Sequence, residues 1–346
     1  MIAMLLQASL CLASCTPEKR AKNTRKEWSA LTKPERLDYI SSVLCLQRLP
    51  SLLPSVPGSK SRFDDFAATH INLTLSIHLD GLFLPWHRNF VWLYEKALRE
   101  ECGFTGSQPY WNWPLWASNL SDSPLFDGSD TSLSGDGASL ADPQNYTLGP
   151  GATLPHGTGG GCVLDGPFVN HTMNLGPFEY ALAFEGILPS NWSAYNPHCL
   201  IRDLNNYIST RYQNQTAVDN LLDSGDIVEF QERLNGVGTN LGVHGGGHFA
   251  LGLGLQDFFA SPLDPAFYLH HGAIDWVWWL WQNGGNGTGE ENERVLALNG
   301  TDRIFNPPGS DEVTLSMVAN WGILGAEKMV GEVMRVDAGE FCYGYE

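Results

Sequence analysis

The sequence predicts a mainly α-helical fold: a four-helix bundle with inward-facing histidines, wrapped by long irregular loops with few short strands. Three observations predict it. Apolar residues recur at helical spacing in several segments on either side of a long stretch that has no period. That stretch, Ser107 to Pro197, is rich in Gly, Pro, Ser, Asn and aromatics. Six of the ten histidines fall in two groups of three, and the helical segments carry them.

Taken in order, residues 1–14 (MIAMLLQASLCLAS) read as the apolar part of a secretory signal, too short to span a bilayer. Seven of the 20 Lys and Arg residues precede Leu37. They read as a solvated helix face, the alternative being a segment seated on the acidic body. Helical periodicity runs from Arg25 to Leu46 on Trp28, Leu31, Leu37, Ile40, Val43 and Leu44. A helix over Phe63 to Leu75 carries His70, and a stronger one starts at Pro85 and stops near Cys102-Gly103. After the irregular region, helical patterns cover Ile201 to Tyr212, Val218 to Leu234, Leu241 to Leu251 and Pro265 to Gln282. From Asp311 onward, short strands or turns are expected. No internal repeat or linker appears, so residues 15–346 are expected to form a single domain.

Composition limits function. A net charge of -18 argues against nucleic acid and anionic membrane surfaces as partners. Asn-X-Ser/Thr sequons occur at Asn72, Asn119, Asn145, Asn170, Asn191, Asn214, Asn286 and Asn299, more than chance supplies. They point to N-linked glycans and a secreted, extracellular protein. With Cys11 in the signal segment, Cys15, Cys45, Cys102, Cys162, Cys199 and Cys342 form an even set suited to disulfides. Their pairing stays open, and the lack of CxxC spacing argues against a zinc ribbon or redox dithiol.

The histidines carry the chemistry. His70, His78 and His87 form the first group; His244, His248 and the pair His270-His271 supply the second. Residues four apart share a helix face, so His244 and His248 can address one metal. Imidazole ligands without Cys or carboxylate suit Cu, Zn, Fe or Ni. The zinc peptidase pattern needs Glu directly after its first His, where this chain has Gly245. Two all-imidazole triads suit a redox pair of copper ions, which at about 3.5–4 Å separation can hold one small ligand, here O2. His156, His171 and His198 lie in the irregular region and read as ordinary core or surface residues.

The segments IHLDGLFLPWHRNFVWLYEKAL, PYWNW, VHGGGHFALG and DPAFYLHHGAIDWVWWLWQ resemble the tyrosinase and catechol oxidase (polyphenol oxidase) family of type 3 copper proteins, in a short fungal-like form. The likeness runs from about Trp28 to Tyr345. It implies His70, His78 and His87 on one copper, and His244, His248 and His271 on the other, taking the second member of the adjacent pair. It implies that Asp275 orients its helix, although Trp276 follows where the family usually has Arg. Arg88 and Glu95 either anchor the His87 helix to neighbouring segments or pair in solvent. Ser76 stands two before His78, so the thioether found in some fungal tyrosinases cannot form. Tyr343-Gly344-Tyr345 resembles the motif that closes the catalytic core, so activity without removal of a shielding domain is expected.

Within this family, catechol oxidation and phenol hydroxylation differ in the pocket. Hydroxylating relatives often have Asn after the fourth ligand, with an acidic residue holding a water nearby. Gly245 replaces that Asn, and Glu232 or Glu229 is the candidate acidic residue. Phe258, or alternatively Phe259, stands where a bulky gate covers one copper in several relatives. These features imply an oxidase that turns o-diphenols into o-quinones with O2, using small phenolic substrates. The alternatives are a monophenol-hydroxylating tyrosinase, a secondary-metabolite or o-aminophenol tailoring oxidase, and, remotely, a non-catalytic O2-binding protein.

Overall fold

A computed structural model describes residues 15–149, 152–284 and 293–346. The signal-like segment 1–14 and the sequon at Asn286 lie outside them. Four helices carry the histidines: Arg62–Leu73, Phe83–Cys102, Gly242–Leu251 and Ala266–Asn283. The His70 helix starts at Arg62 because Ser61 and Asp64 form a reciprocal cap, each side chain accepting from the other's backbone N–H. The His87 helix ends where Gly103 turns left-handed at φ 73°. At the His271 helix, Asp264 accepts from the Ala266 N–H while Arg202 clamps the same carboxylate at 2.6 and 2.8 Å.

Elsewhere local capping overrides the broader pattern. The expected helix over Arg25 to Leu46 begins only at Lys33, because Thr32 and Glu35 build a capping box beside Pro34. Before it lie a short helix over Pro17–Lys22 and a 3-10 turn over Trp28–Ala30, and between them Thr24-Arg25 pairs in parallel with Gly344-Tyr345. The pattern over Val218 to Leu234 divides into Gln215–Leu222 and Ile227–Asn235, with Asp226 capping the second. Similarly, Asn205 caps a helix over Asn206–Tyr212 instead of one from Ile201. Residues 107–197 hold only short two-stranded ladders and single helical turns, as their composition predicts.

One core cluster runs from Trp28 to Tyr343 and takes in the inner faces of all four histidine-bearing helices. Disulfides join Cys45 to Cys102, Cys162 to Cys199 and Cys15 to Cys342. The last closes a loop of 327 residues, so it limits the unfolded chain more than the others do. Among the described residues, no helix is long and apolar enough to cross a membrane.

Candidate metal centre

The helices bring two histidine clusters together: His70, His78 and His87, and His244, His248, His270 and His271. His78 sits just beyond the first helix, in the turn leading to the second, where Leu79 adopts a left-handed φ of 52°. The clusters face each other directly, since the His87 and His271 rings stack at 4.5 Å. Phe267 also stacks on His271, at 4.0 Å, and Phe83 packs against His244 at 4.6 Å.

Hydrogen bonds set the tautomers. The Nδ1–H of His70 donates to the Phe259 carbonyl at 2.7 Å, that of His78 to Thr74 at 3.0 Å, and that of His87 to Phe83 at 2.9 Å. His248 donates to the Leu255 carbonyl at 2.6 Å, and His244 to the Asn235 side-chain oxygen at 2.9 Å. A neutral ring that donates through Nδ1 carries its lone pair on Nε2. In the second cluster the Nε2 atoms converge, with His248 Nε2 at 3.0 Å from His244 Nε2 and 3.3 Å from His271 Nε2, while His271 Nδ1 is buried with no hydrogen-bond partner. In the first, His70 Nε2 and His87 Nε2 are buried with no hydrogen-bond partner. Converging or orphaned nitrogen lone pairs are costly unless a cation takes them up, so both clusters fit a metal ion. Burial pushes the imidazoles below their ordinary values, His78 to about 3 and His248 to about 4, which keeps them neutral as ligation requires.

His270 is held in the opposite tautomer. Its Nε2–H donates to the His244 carbonyl at 3.0 Å, and its Nδ1 accepts from Trp113 Nε1–H at 3.1 Å. No lone pair remains for a metal. The glycine run HGGGH makes this possible: a Cβ on Gly247 would lie 2.1 Å from His270 Cε1, and one on Gly246 would lie 2.5 Å from Tyr212 Cβ.

Behind His271, Asp275 is the hub of a buried charge cluster. Arg88 approaches it at 2.5 Å and Arg25 at 3.1 Å, while the hydroxyls of Tyr343 and Tyr345 donate to it. Arg25 also pairs with Glu95 at 2.7 Å, and its guanidinium lies 3.7 Å over the Tyr343 ring. Burial works against ionising Asp275, but the two guanidinium groups and two hydroxyls outweigh it and hold the carboxyl below its ordinary value. Arg88 and Glu95 therefore anchor the helices and do not pair in solvent. Where the family usually has Arg after Asp275, Trp276 stacks on Tyr110 at 4.9 Å, and the cations at Asp275 come from two other segments. Arg25, read from sequence as part of a solvated basic face, is fully buried. Isolated in an extended strand, it carried no periodic signal.

A cavity of about 270 Å³ opens onto the second cluster. His78, His244, His248, Gly245 and Phe258 are among its lining residues. Asp257 shapes the turn that places Phe258, accepting from the backbone N–H of Phe259 and Ala260 at 2.9 Å and of Phe178 at 2.8 Å. Phe258 then packs 4.8 Å from the His78 ring, whereas Phe259 is buried and contributes its carbonyl to His70. Of the two phenylalanines, Phe258 is among the cavity's lining residues and Phe259 is not.

Glu232 does not reach the cavity. It is exposed, because the buried face of its helix is Ile227, Phe230 and Leu234 and Glu232 lies opposite. Glu229 faces away too, paired with Arg233 and the Gly225 N–H. The residue that does arrive from this helix is Asn235, the partner of His244. Nothing in the sequence marked it, since the contact depends on how two helices cross.

A family model for the common central domain of tyrosinase matches residues 60–284. Tyrosinase P of Aspergillus terreus is 47% identical over 97% of this chain and 98% of its own length. N-acetyl-6-hydroxytryptophan oxidase of Emericella nidulans is 47% identical over 94% of this chain and 92% of its own. Among solved structures, a mutant polyphenol oxidase from Thermothelomyces thermophila superposes with a TM-score of 0.88 at 41% identity, covering 96% of this chain and 90% of that one.

Proposed function

The chain belongs to the tyrosinase family of type 3 copper oxidases, and from that premise we propose that it oxidises o-diphenols to o-quinones, reducing O2 to water. In this reading His70, His78 and His87 hold one copper and His244, His248 and His271 the other. When bound, the copper pair supplies the redox chemistry that couples two-electron oxidation of the diphenol to O2.

The protein's own groups bind and orient. Phe258 covers the His78 side, which leaves His244 and His248 as the face a substrate meets. Gly245 keeps space beside His244 clear. The apolar lining displaces water and seats a planar ring. One observation favours diphenols over monophenols: no Asp, Glu, Lys or Arg is among the cavity's described lining residues. A monophenol needs a base to take its proton before hydroxylation, and neither a carboxylate nor an Asn at position 245 is there to hold a water for it.

The test is a substrate panel on copper-loaded protein, with metal analysis. Two coppers per chain and faster turnover of catechol than of a monophenol are expected. Rapid monophenol hydroxylation overturns the preference, and a single zinc in protein offered both metals overturns the site. A tailoring oxidase acting on an o-aminophenol or a hydroxylated secondary metabolite is the second reading, favoured by the likeness to N-acetyl-6-hydroxytryptophan oxidase. Including an o-aminophenol in the panel separates the two. The disulfides and sequons support a secreted glycoprotein, with residues 15–346 as the catalytic domain.

A further inference from the structure

Beyond Phe258 the aromatic lining continues outward to solvent. Phe184 lies 5.8 Å from Phe258, and Phe305 lies 5.4 Å from Phe184. Both outer rings line the cavity yet remain 47% and 44% exposed, so half of each is unused by the fold. Tyr180 backs them at 4.9 Å from Phe184.

Phe305 is held at this mouth by strained backbone. Its φ is 64°, Asn306 follows at 50°, and Leu79 beside His78 is at 52°. A left-handed conformation is unfavourable for Phe and Leu, and it persists only where surrounding contacts impose it. Here they do. The Phe305 N–H and the Asn306 side-chain amide both donate to the Leu79 carbonyl, at 3.1 and 3.3 Å, while Asn306 Oδ1 accepts from the Thr301 N–H at 2.6 Å. The strain fixes an exposed ring where burying it would have been the default.

We propose that Phe184 and Phe305 form an outer aromatic subsite that grips a second ring of the substrate, so that the enzyme prefers neutral two-ring o-diphenols to single-ring catechols. This rests on the oxidase reading above and adds the substrate class. The spacing suits it. The cavity of about 270 Å³ is lined by His244 and His248 and also by Phe184 and Phe305, more space than one ring at the histidines fills. Face and edge contacts with two phenylalanines favour an aromatic group over an aliphatic one. The lack of charged lining residues favours a neutral substrate, although the chain carries a net charge of -18.

The decisive measurement is binding to copper-free protein, so that oxidation plays no part. Calorimetry with 4-phenylbenzamide and benzamide should show the two-ring probe binding at least about tenfold more tightly. Phe184→Ala and Phe305→Ala should each cut that ratio by about threefold or more, while Leu164→Ala, an exposed apolar residue away from the cavity, should leave it unchanged. In copper-loaded protein the ratio of kcat/KM for 4-phenylcatechol over catechol should fall in the same two variants. Equal binding of the two probes, or a preference that survives both rim substitutions, overturns the subsite. Copper-loaded protein that oxidises neither catechol overturns the oxidase reading instead, and the binding ratios still decide the subsite.

Discussion

In the first histidine cluster every Nδ1–H ends on a main-chain carbonyl, from Phe259, Thr74 or Phe83. The second cluster depends on side chains as well: Asn235 orients His244, and His270, clamped by Trp113, takes up the His244 carbonyl. Exposure differs in the same direction. Only His78 of the first cluster lines the cavity, and Phe258 packs on it, whereas His244 and His248 both line the cavity. An imidazole held by a main-chain carbonyl cannot be retuned by changing one side chain. One held by a side chain can be adjusted residue by residue, here beside the cavity. The first cluster is thus held by main chain throughout, while the second opens on the cavity and takes the orientation of His244 from a side chain.

The severest challenge to this contrast lies within the adjacent pair. His271→Ala should remove about one copper per chain and abolish oxidase activity, while His270→Ala should keep both coppers, as read by metal analysis of purified variants. The reverse result would make His270 the ligand and overturn the tautomer argument. Next in size is Asn235→Ala, expected to weaken copper at the second cluster about 10- to 100-fold with little effect on the first. Competitive chelation would resolve the two affinities, and equal loss at both would erase the distinction between them. Gly245→Asn should raise the ratio of monophenol to diphenol turnover roughly tenfold, by supplying the polar group missing beside His244. A Cβ there meets Leu241 Cβ at 3.3 Å, a close but yielding contact. Smallest of all is Glu232→Ala: an exposed carboxylate outside the cavity should alter either turnover by less than about twofold. A large loss of hydroxylation would restore Glu232 as the water-holding residue.

Legibility followed the range of the interaction. His244 and His248, four apart, declare a shared helix face from spacing alone, and His87 in the first turn of an amphipathic helix was equally plain. The helix over Arg25 to Leu46 was overextended because apolar spacing continued past Thr32, where a local cap actually set the boundary. Arg25 itself was misread, since nothing near it in sequence reports on Glu95 or Asp275, which lie 70 and 250 residues away. Glu232 was a reasonable acidic candidate by type and position, but helix phase turns it outward.

By itself, then, the sequence determined the donor chemistry, the helices that carry it and the even cysteine set, because these depend on residue type and on contacts within a few turns. The tertiary structure decided which nitrogen is free on the imidazoles whose Nδ1 or Nε2 is hydrogen-bonded, which phenylalanine covers His78, which cysteines pair and what neutralises Asp275. Each of those depends on where a distant carbonyl, ring or guanidinium lands when helices cross. Spacing along a chain carries no record of that.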